Sequence, residues 1–176
     1  MLKKIALVVV VAVAALLIYA ATRPDSFRLE RTVTAKAPPD KLFALVNDFH
    51  AWDAWSPWDK LDPAMKRTFS GPAAGKGAAY AWEGNSKVGR GRMEIIESVP
   101  SSKVAIKLDF MEPIEARNIT EFTFTPKGDA TVVTWAMHGP SPYVSKLIGI
   151  FASMDSMVGK DFDKGLAALK SAGEKP

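Results

Sequence analysis

The stretch of sequence from residue 103 to residue 110 reads Lys103-Val104-Ala105-Ile106-Lys107-Leu108-Asp109-Phe110. Apart from Ala105, charged and apolar side chains alternate along it. A period of two residues is typical of a β-strand with one buried face, and antiparallel sheets commonly leave their other face in water. The pattern therefore predicts a strand whose apolar face has to be covered by another part of the chain.

The same alternation recurs on both sides of this stretch. From residue 69 to residue 137 the chain is predicted to form successive antiparallel strands, with turn residues between them at 84–85, 100–102, 112–113 and 127–129. Residues 27–36 predict a first strand. Pro38-Pro39-Asp40 then begins a short helix, because proline suits a first helical turn and an acidic side chain complements its positive end.

The cover for the sheet is predicted at the C-terminal end of the chain. Ser141-Pro142 is a suitable helix start, and the apolar residues after it step by three or four positions: Val144, Leu147, Phe151, Met154, Val158, Phe162, Leu166 and Leu169. This period predicts one amphipathic helix of about 28 residues, about 40 Å long, with glycines at which it could bend. It also predicts that Phe151 is buried and that Lys146 is exposed.

The N-terminal segment is predicted to be a membrane anchor. Residues 5–21 carry no charge and follow Lys3 and Lys4, and about 17 apolar residues is the lower limit for spanning a bilayer. A cleaved signal peptide is the alternative, but its apolar region is usually shorter and ends in a small-x-small cleavage site. Here Ile18 or Tyr19 would occupy the first small position of that site. We therefore expect an anchor over residues 1–23 and a folded domain over residues 24–176. The two lysines place that domain on the outer side of the cytoplasmic membrane.

Charge and composition exclude several classes of function. The chain has 176 residues, with 23 Lys and Arg against 19 Asp and Glu, for a net charge of +4. Two of the basic residues flank the apolar run, so the folded part has no nucleic-acid-binding charge pattern. The chain contains no cysteine, which excludes disulfides, thiolate metal sites and a cysteine nucleophile.

Several short motifs carry a resemblance to a known family. They are Ala37-Pro38-Pro39, Trp52-Asp53-Ala54-Trp55-Ser56-Pro57-Trp58, Tyr80-Ala81-Trp82-Glu83-Gly84-Asn85, Val88-Gly89-Arg90-Gly91-Arg92-Met93, Val133-Thr134-Trp135 and Phe162-Asp163-Lys164-Gly165-Leu166. Taken in order, they resemble the START-like, helix-grip (SRPBCC) superfamily, specifically its polyketide cyclase/dehydrase and lipid-transport group, over roughly residues 27–172. The resemblance implies an α+β fold in which a curved antiparallel β-sheet wraps around a long C-terminal helix and encloses an apolar cavity. It implies no particular reaction.

Aromatic and methionine side chains are the candidates for lining such a cavity. Trp52, Trp55 and Trp58 recur every third residue, the spacing of one face of a short helix or of a 3₁₀ turn. There they can either plug one end of the core or stack on an apolar ligand. The residues that we expect at the cavity wall are Trp55, Trp58, Tyr80, Trp82, Met93, Phe110, Trp135, Met137, Phe151 and Met154.

The sequence leaves three functions open. The first is binding of an apolar small molecule or lipid without turnover, with no catalytic residue, metal or cofactor: His50 and His138 belong to no ligand motif, and no serine-hydrolase motif is present. The second is a cyclase or dehydratase that uses the same cavity, with Tyr80, Asn118, Thr120 and His138 as candidates for proton transfer. We expect His138 to point away from the cavity. The third is an envelope protein with a closed cavity and a role in protein interaction.

Overall fold

The computed structural model describes residues 1–175 as a long N-terminal helix followed by a seven-stranded sheet with helices on one face. The helices are α1 (Leu2–Ala21), α2 (Pro39–Asn47), α3 (Tyr143–Phe151) and α4 (Lys160–Gly173). The strands are β1 (Ser26–Ala35), β2 (Lys66–Ser70), β3 (Ala79–Glu83), β4 (Arg90–Val99), β5 (Lys103–Glu112), β6 (Ala116–Lys127) and β7 (Ala130–Pro140). This is the α+β, helix-grip architecture that the sequence predicts.

The sheet is antiparallel throughout, with the strand order β1-β7-β6-β5-β4-β3-β2. The alternation seen in the sequence of β5 is confirmed, because Val104, Ile106 and Leu108 are buried. The register of β4 against β5 shifts at two places, after Arg90 and after Ile95. Such bulges bend a strand and increase its twist, and here they help the sheet to curve around its cover.

The cover consists of α2 and the C-terminal half of the predicted long helix. On α4, Phe162, Leu166 and Leu169 are buried, as their spacing predicts. Gly165 allows a close approach of α4 to the sheet, since a Cβ atom there would lie 2.7 Å from the indole of Trp135. The helix α4 therefore rests directly on the aromatic side chains of the sheet.

The prediction of a single C-terminal helix of about 28 residues is wrong. The helix α3 ends at Phe151, and Ala152 is extended, with φ −141° and ψ 103°. A π-helical turn over Asp155–Gly159 then leads into α4. The break follows from Ser153, whose hydroxyl oxygen accepts a hydrogen bond from the backbone N–H of Ser156 at 3.1 Å. A serine that caps a new turn in this way competes with continuation of the preceding helix.

The break also reverses which face of α3 is buried. Phe151, predicted to be buried, is 78% exposed, and Val144 is 64% exposed. Lys146, predicted to be exposed, keeps only 9% of its side chain in contact with solvent and forms an ion pair with Asp25. Because Ala152 and Ser153 leave the helical path, the apolar period of α4 cannot be extended back through α3.

The helix α1 carries the apolar run at the N-terminus. An 18-residue window within its 20 residues has a mean hydropathy of 2.6 and is almost entirely unburied. At 1.5 Å per residue the helix is about 30 Å long, the thickness of a bilayer's hydrocarbon core. It is thus long and apolar enough to cross a membrane, and a signal sequence has the same properties.

Candidate functional site

An apolar cavity of about 170 Å³ lies between the concave face of the sheet and the elements that cover it. Its walls come from the segment between α2 and β2, from strands β3 to β7, and from the π-helical turn and α4. The lining residues are Trp52, Ser56, Trp58, Asp59, Met65, Tyr80, Trp82, Val88, Met93, Leu108, Phe110, Thr120, Trp135, Met137, Val158 and Phe162. The cavity therefore lies where the helix-grip fold is expected to enclose one.

The three tryptophans at positions 52, 55 and 58 are divided between the core and the cavity. Of the two forms that the spacing of every third residue allows, a short helix or a 3₁₀ turn, the structure has 3₁₀ turns, over Phe49–Ala54 and Trp58–Lys60. Trp52 and Trp58 reach the cavity wall, whereas Trp55 is only 1% exposed and lies outside the lining. The Trp55 indole donates a hydrogen bond to the carbonyl of Leu45 at 2.9 Å. The expectation that Trp55 lines the cavity is corrected: this side chain plugs the core.

Seven of the ten residues that the sequence suggested for the wall do line the cavity: Trp58, Tyr80, Trp82, Met93, Phe110, Trp135 and Met137. Phe151 and Met154 join Trp55 outside it. Phe151 is exposed because α3 ends there, and Met154 is half-buried against the core just after the break. The sheet residues were placed correctly because the side-chain alternation of a strand determines which face each one occupies.

Two indole N–H groups of the aromatic wall are paired within the protein. The indole N–H of Trp135 donates to the hydroxyl of Thr120 at 2.7 Å, and that hydroxyl donates to the carbonyl of Ala136 at 3.1 Å. The indole N–H of Trp82 donates to the carbonyl of Val88 at 3.0 Å. A ligand in contact with these rings therefore meets an essentially apolar surface.

One corner of the cavity is polar and contains an acidic side chain. The Tyr80 hydroxyl donates to Oδ1 of Asp59 at 3.4 Å, and Arg67 lies 3.6 Å from the same oxygen. Burial raises the pKa of Asp59 above its ordinary value, although Arg67 opposes the shift. Burial also raises the pKa of Tyr80, with the neighbouring Asp59 charge adding to the effect. Asp59 is not recognisable as a site residue from the sequence, because its only signal there is its place directly after Trp58.

The other candidates for proton transfer divide between two places. Tyr80 and Thr120 line the cavity. His138 points to the outer face of the sheet, as expected, at a shallow, open hollow of about 750 Å³. Its Nε2 is 3.6 Å from a carboxylate oxygen of Glu121. Asn118 also borders this hollow, but it is buried and shares the inward face of β6 with Thr120. Among residues 1–175, no three histidine, acidic or cysteine side chains come together in a way that could hold a metal ion.

Comparison with known families agrees with this geometry. Residues 26–174 match the family described as polyketide cyclase / dehydrase and lipid transport. The chain belongs to this family. The match covers the sheet, its helical cover and the whole cavity, and it begins just after α1. The resemblance inferred from the motifs of the sequence is thereby confirmed.

Solved structures of low sequence identity share the fold. A protein from Thermobifida fusca is 22% identical, with a TM-score of 0.60, over 81% of this chain and 90% of that protein. Protein CV1439 from Chromobacterium violaceum is 16% identical, with a TM-score of 0.59, over 88% of this chain and all of that protein. The major latex-like protein 151 from Panax ginseng is 12% identical, also with a TM-score of 0.59, over 86% of this chain and all of that protein. A search of curated proteins gave no match.

Proposed function

We propose that this member of the polyketide cyclase / dehydrase and lipid transport family is a membrane-anchored protein that binds an apolar small molecule or lipid without changing it chemically. The observation that carries the proposal is the aromatic cavity, in which the indole N–H groups of Trp135 and Trp82 are paired with Thr120 and Val88. Binding sites for small molecules are typically apolar clefts with a few placed polar groups. The polar corner at Asp59 and Tyr80 is suited to receive a hydroxyl or carbonyl group of the ligand.

The size of the cavity limits what enters it. An apolar cavity of about 150 Å³ in another protein stays dry and accepts benzene, and the cavity here has about 170 Å³. It therefore holds an aromatic ring or a short hydrocarbon segment. A whole acyl chain would require the walls to move. The π-helical turn over Asp155–Gly159, which contributes Val158 to the wall, is the segment placed to do so.

The anchor in this proposal is α1, with the domain of residues 24–176 on the outer side of the cytoplasmic membrane. Lys3 and Lys4 precede the apolar helix and would remain in the cytoplasm. The lack of a small-residue cleavage site supports an uncleaved segment. Intact-mass measurement of the membrane-extracted protein tests this part, because a mature chain beginning near Thr22 would contradict it.

Native mass spectrometry of the detergent-extracted full chain tests the binding proposal. We expect a co-purified apolar species that dissociates unaltered at higher collision energy. The matched variant is Val158→Phe, which places a larger side chain at the cavity wall. Retention of the same species by this variant, in the same amount, would contradict binding in the cavity.

A second candidate function is acid–base catalysis in the same cavity. It is favoured by Asp59, a carboxyl group whose pKa is raised and which is hydrogen-bonded to Tyr80 at the wall, since catalytic acids and bases often have shifted pKa values. Incubation with aromatic polyketide-like compounds, followed by mass spectrometry, tests it. A chemical change that is lost in Asp59→Asn, with binding retained, would replace the binding proposal by a cyclase or dehydratase activity.

A further inference from the structure

The helix α3 has an apolar face that packs against no part of the core. Tyr143, Val144, Ile148 and Phe151 are exposed by 44, 64, 39 and 78%. Their spacing places them on one side of the helix, with Leu147 between them. Contiguous exposed apolar surface of this kind indicates contact with a membrane or another protein.

The position of α3 next to α1 identifies what covers this face. The Tyr143 hydroxyl donates to the carbonyl of Leu17 at 2.9 Å, and Leu17 lies one helical turn, about 6 Å, before the end of α1. If α1 spans a bilayer, the start of α3 is therefore level with the bilayer's interface. Tyrosine is enriched at that depth, and Tyr19 of α1 is half exposed at the same level.

The opposite side of α3 is fixed to the domain. Lys146 forms an ion pair with Asp25, and the backbone N–H of Ser141 donates to the Asp25 carbonyl at 2.7 Å. Only residues 22–25 separate α1 from β1, a connection that spans at most about 14 Å when extended. The domain is thus held close to the end of α1, with the apolar face of α3 turned away from it.

The same end of the sheet carries a second exposed apolar element. Strand pairing places the β5–β6 turn at the end where β1 begins and β7 finishes. Met111, at the end of β5, is 43% exposed, and Ile114, in the turn itself, is 62% exposed. The cavity lies toward this end too, because Phe110 and Met137 come from the last residues of β5 and β7.

We propose that the apolar face of α3, together with the β5–β6 turn, docks into the interfacial layer of the same bilayer that α1 spans. This inference rests on the anchor in the proposed function. Amphipathic helices that lie in a membrane interface bury one apolar face to about 5–10 Å, and the exposed face of α3 has this form. Docking holds the cavity end of the sheet at the membrane, and the ligand then reaches the cavity from the lipid layer through the segment after α3.

Site-specific fluorescence in liposomes tests the docking. The full chain has no cysteine, so single cysteines at Phe151, Ile114, Asp129 and Val10 can each carry an environment-sensitive dye. The vesicles contain phospholipids with a nitroxide quencher on the acyl chain. We expect several-fold quenching at Phe151 and Ile114, and little at Asp129 in the β6–β7 turn at the opposite end of the sheet.

The label at Val10, inside α1, allows the membrane anchor to be tested independently of the docking of α3. Quenching at Val10 with no quenching at Phe151 and Ile114 would overturn the docking and leave the anchor intact. No quenching at Val10 would overturn the anchor, and the docking with it. Cross-linking between two copies through a cysteine at Phe151, without lipid quenching there, would assign this face to a second copy of the chain and also overturn the docking.

Discussion

The indole of Trp135 and the ring of Phe162 lie 4.0 Å apart between centroids, with their planes 19° from parallel. Trp135 comes from β7 and Phe162 from α4, so this stack joins the sheet to its cover. Trp58 meets both rings edge-on, at 5.7 and 6.3 Å. The three side chains form one wall of the cavity. The packing of α4 against the sheet therefore also determines the shape of the site.

Phe162→Ala should strongly destabilise the domain. Phe162 is 2% exposed, and truncation of a buried phenylalanine typically costs about 3–5 kcal/mol. Phe151→Ala is the matched control, because Phe151 is 78% exposed and surface changes usually stay within about 0.5 kcal/mol. Denaturant unfolding of the full chain in detergent, followed by tryptophan fluorescence, measures both. Equal losses of stability would show that the core does not depend on α4 in this way.

Asp59→Asn should make the domain more stable at neutral pH. The folded state raises the pKa of Asp59 by burial, so it holds the proton more tightly than the unfolded state does. The contribution of Asp59 to stability is then full below its unfolded pKa and falls as the pH rises through the folded value. The asparagine variant lacks this fall. Unfolding measured between pH 3 and pH 7 (about the range over which such a carboxyl titrates) should therefore show the two proteins converge in acid.

Asp25→Asn is the control, because the pKa shift of Asp25 has the opposite sign to that of Asp59. Hydrogen bonding and attraction from Lys146 lower the pKa of Asp25. Any stability that this ion pair adds is present above the unfolded pKa and is lost as the pH falls through the folded value. Asp25→Asn should thus be neutral or destabilising at neutral pH. A stabilising effect there, equal to that of Asp59→Asn, would mean that burial does not govern Asp59.

A cysteine at Asp129 should report the side of the membrane on which the domain lies. Asp129 is exposed in the turn between β6 and β7, and the chain has no other cysteine. In intact spheroplasts a membrane-impermeant maleimide should label it fully. A cysteine next to Lys3, on the cytoplasmic side, should react only after lysis. The reverse result would invert the proposed orientation.

The sheet could be predicted from sequence because strand alternation is a strong and local signal. In β5 the side chains of Val104, Ile106 and Leu108 lie on the same face because side chains alternate along a strand, independently of the rest of the fold. The wall residues Phe110 and Met137 could be assigned for the same reason. On α4, the spacing of Phe162 and Leu166 was equally informative, since both face the sheet.

The break after α3 could not be found from apolar periodicity. A period of three or four residues indicates that one face of a helix is apolar. It does not show whether that face packs against the protein core or against another apolar environment. Val144 and Phe151 continue the period of α4 yet lie exposed. The local signal at the break itself is Ser153, which caps the following turn. The role of Asp59 at the cavity could not be predicted for a different reason: only the tertiary fold brings its carboxylate to the Tyr80 hydroxyl.

Quenching of tryptophan fluorescence by a terminally brominated fatty acid tests the central claim most directly. All five tryptophans lie outside α1, and Trp52, Trp58, Trp82 and Trp135 line the cavity. The matched variants in the full chain are Val158→Phe, at the wall, and Val99→Phe, whose side chain is 42% exposed at the end of β4. Binding in the cavity predicts saturable quenching in the wild type and in Val99→Phe, with affinity at least about ten-fold weaker in Val158→Phe, equivalent to about 1.4 kcal/mol. Quenching that does not saturate, or that is identical in the two variants, would contradict it.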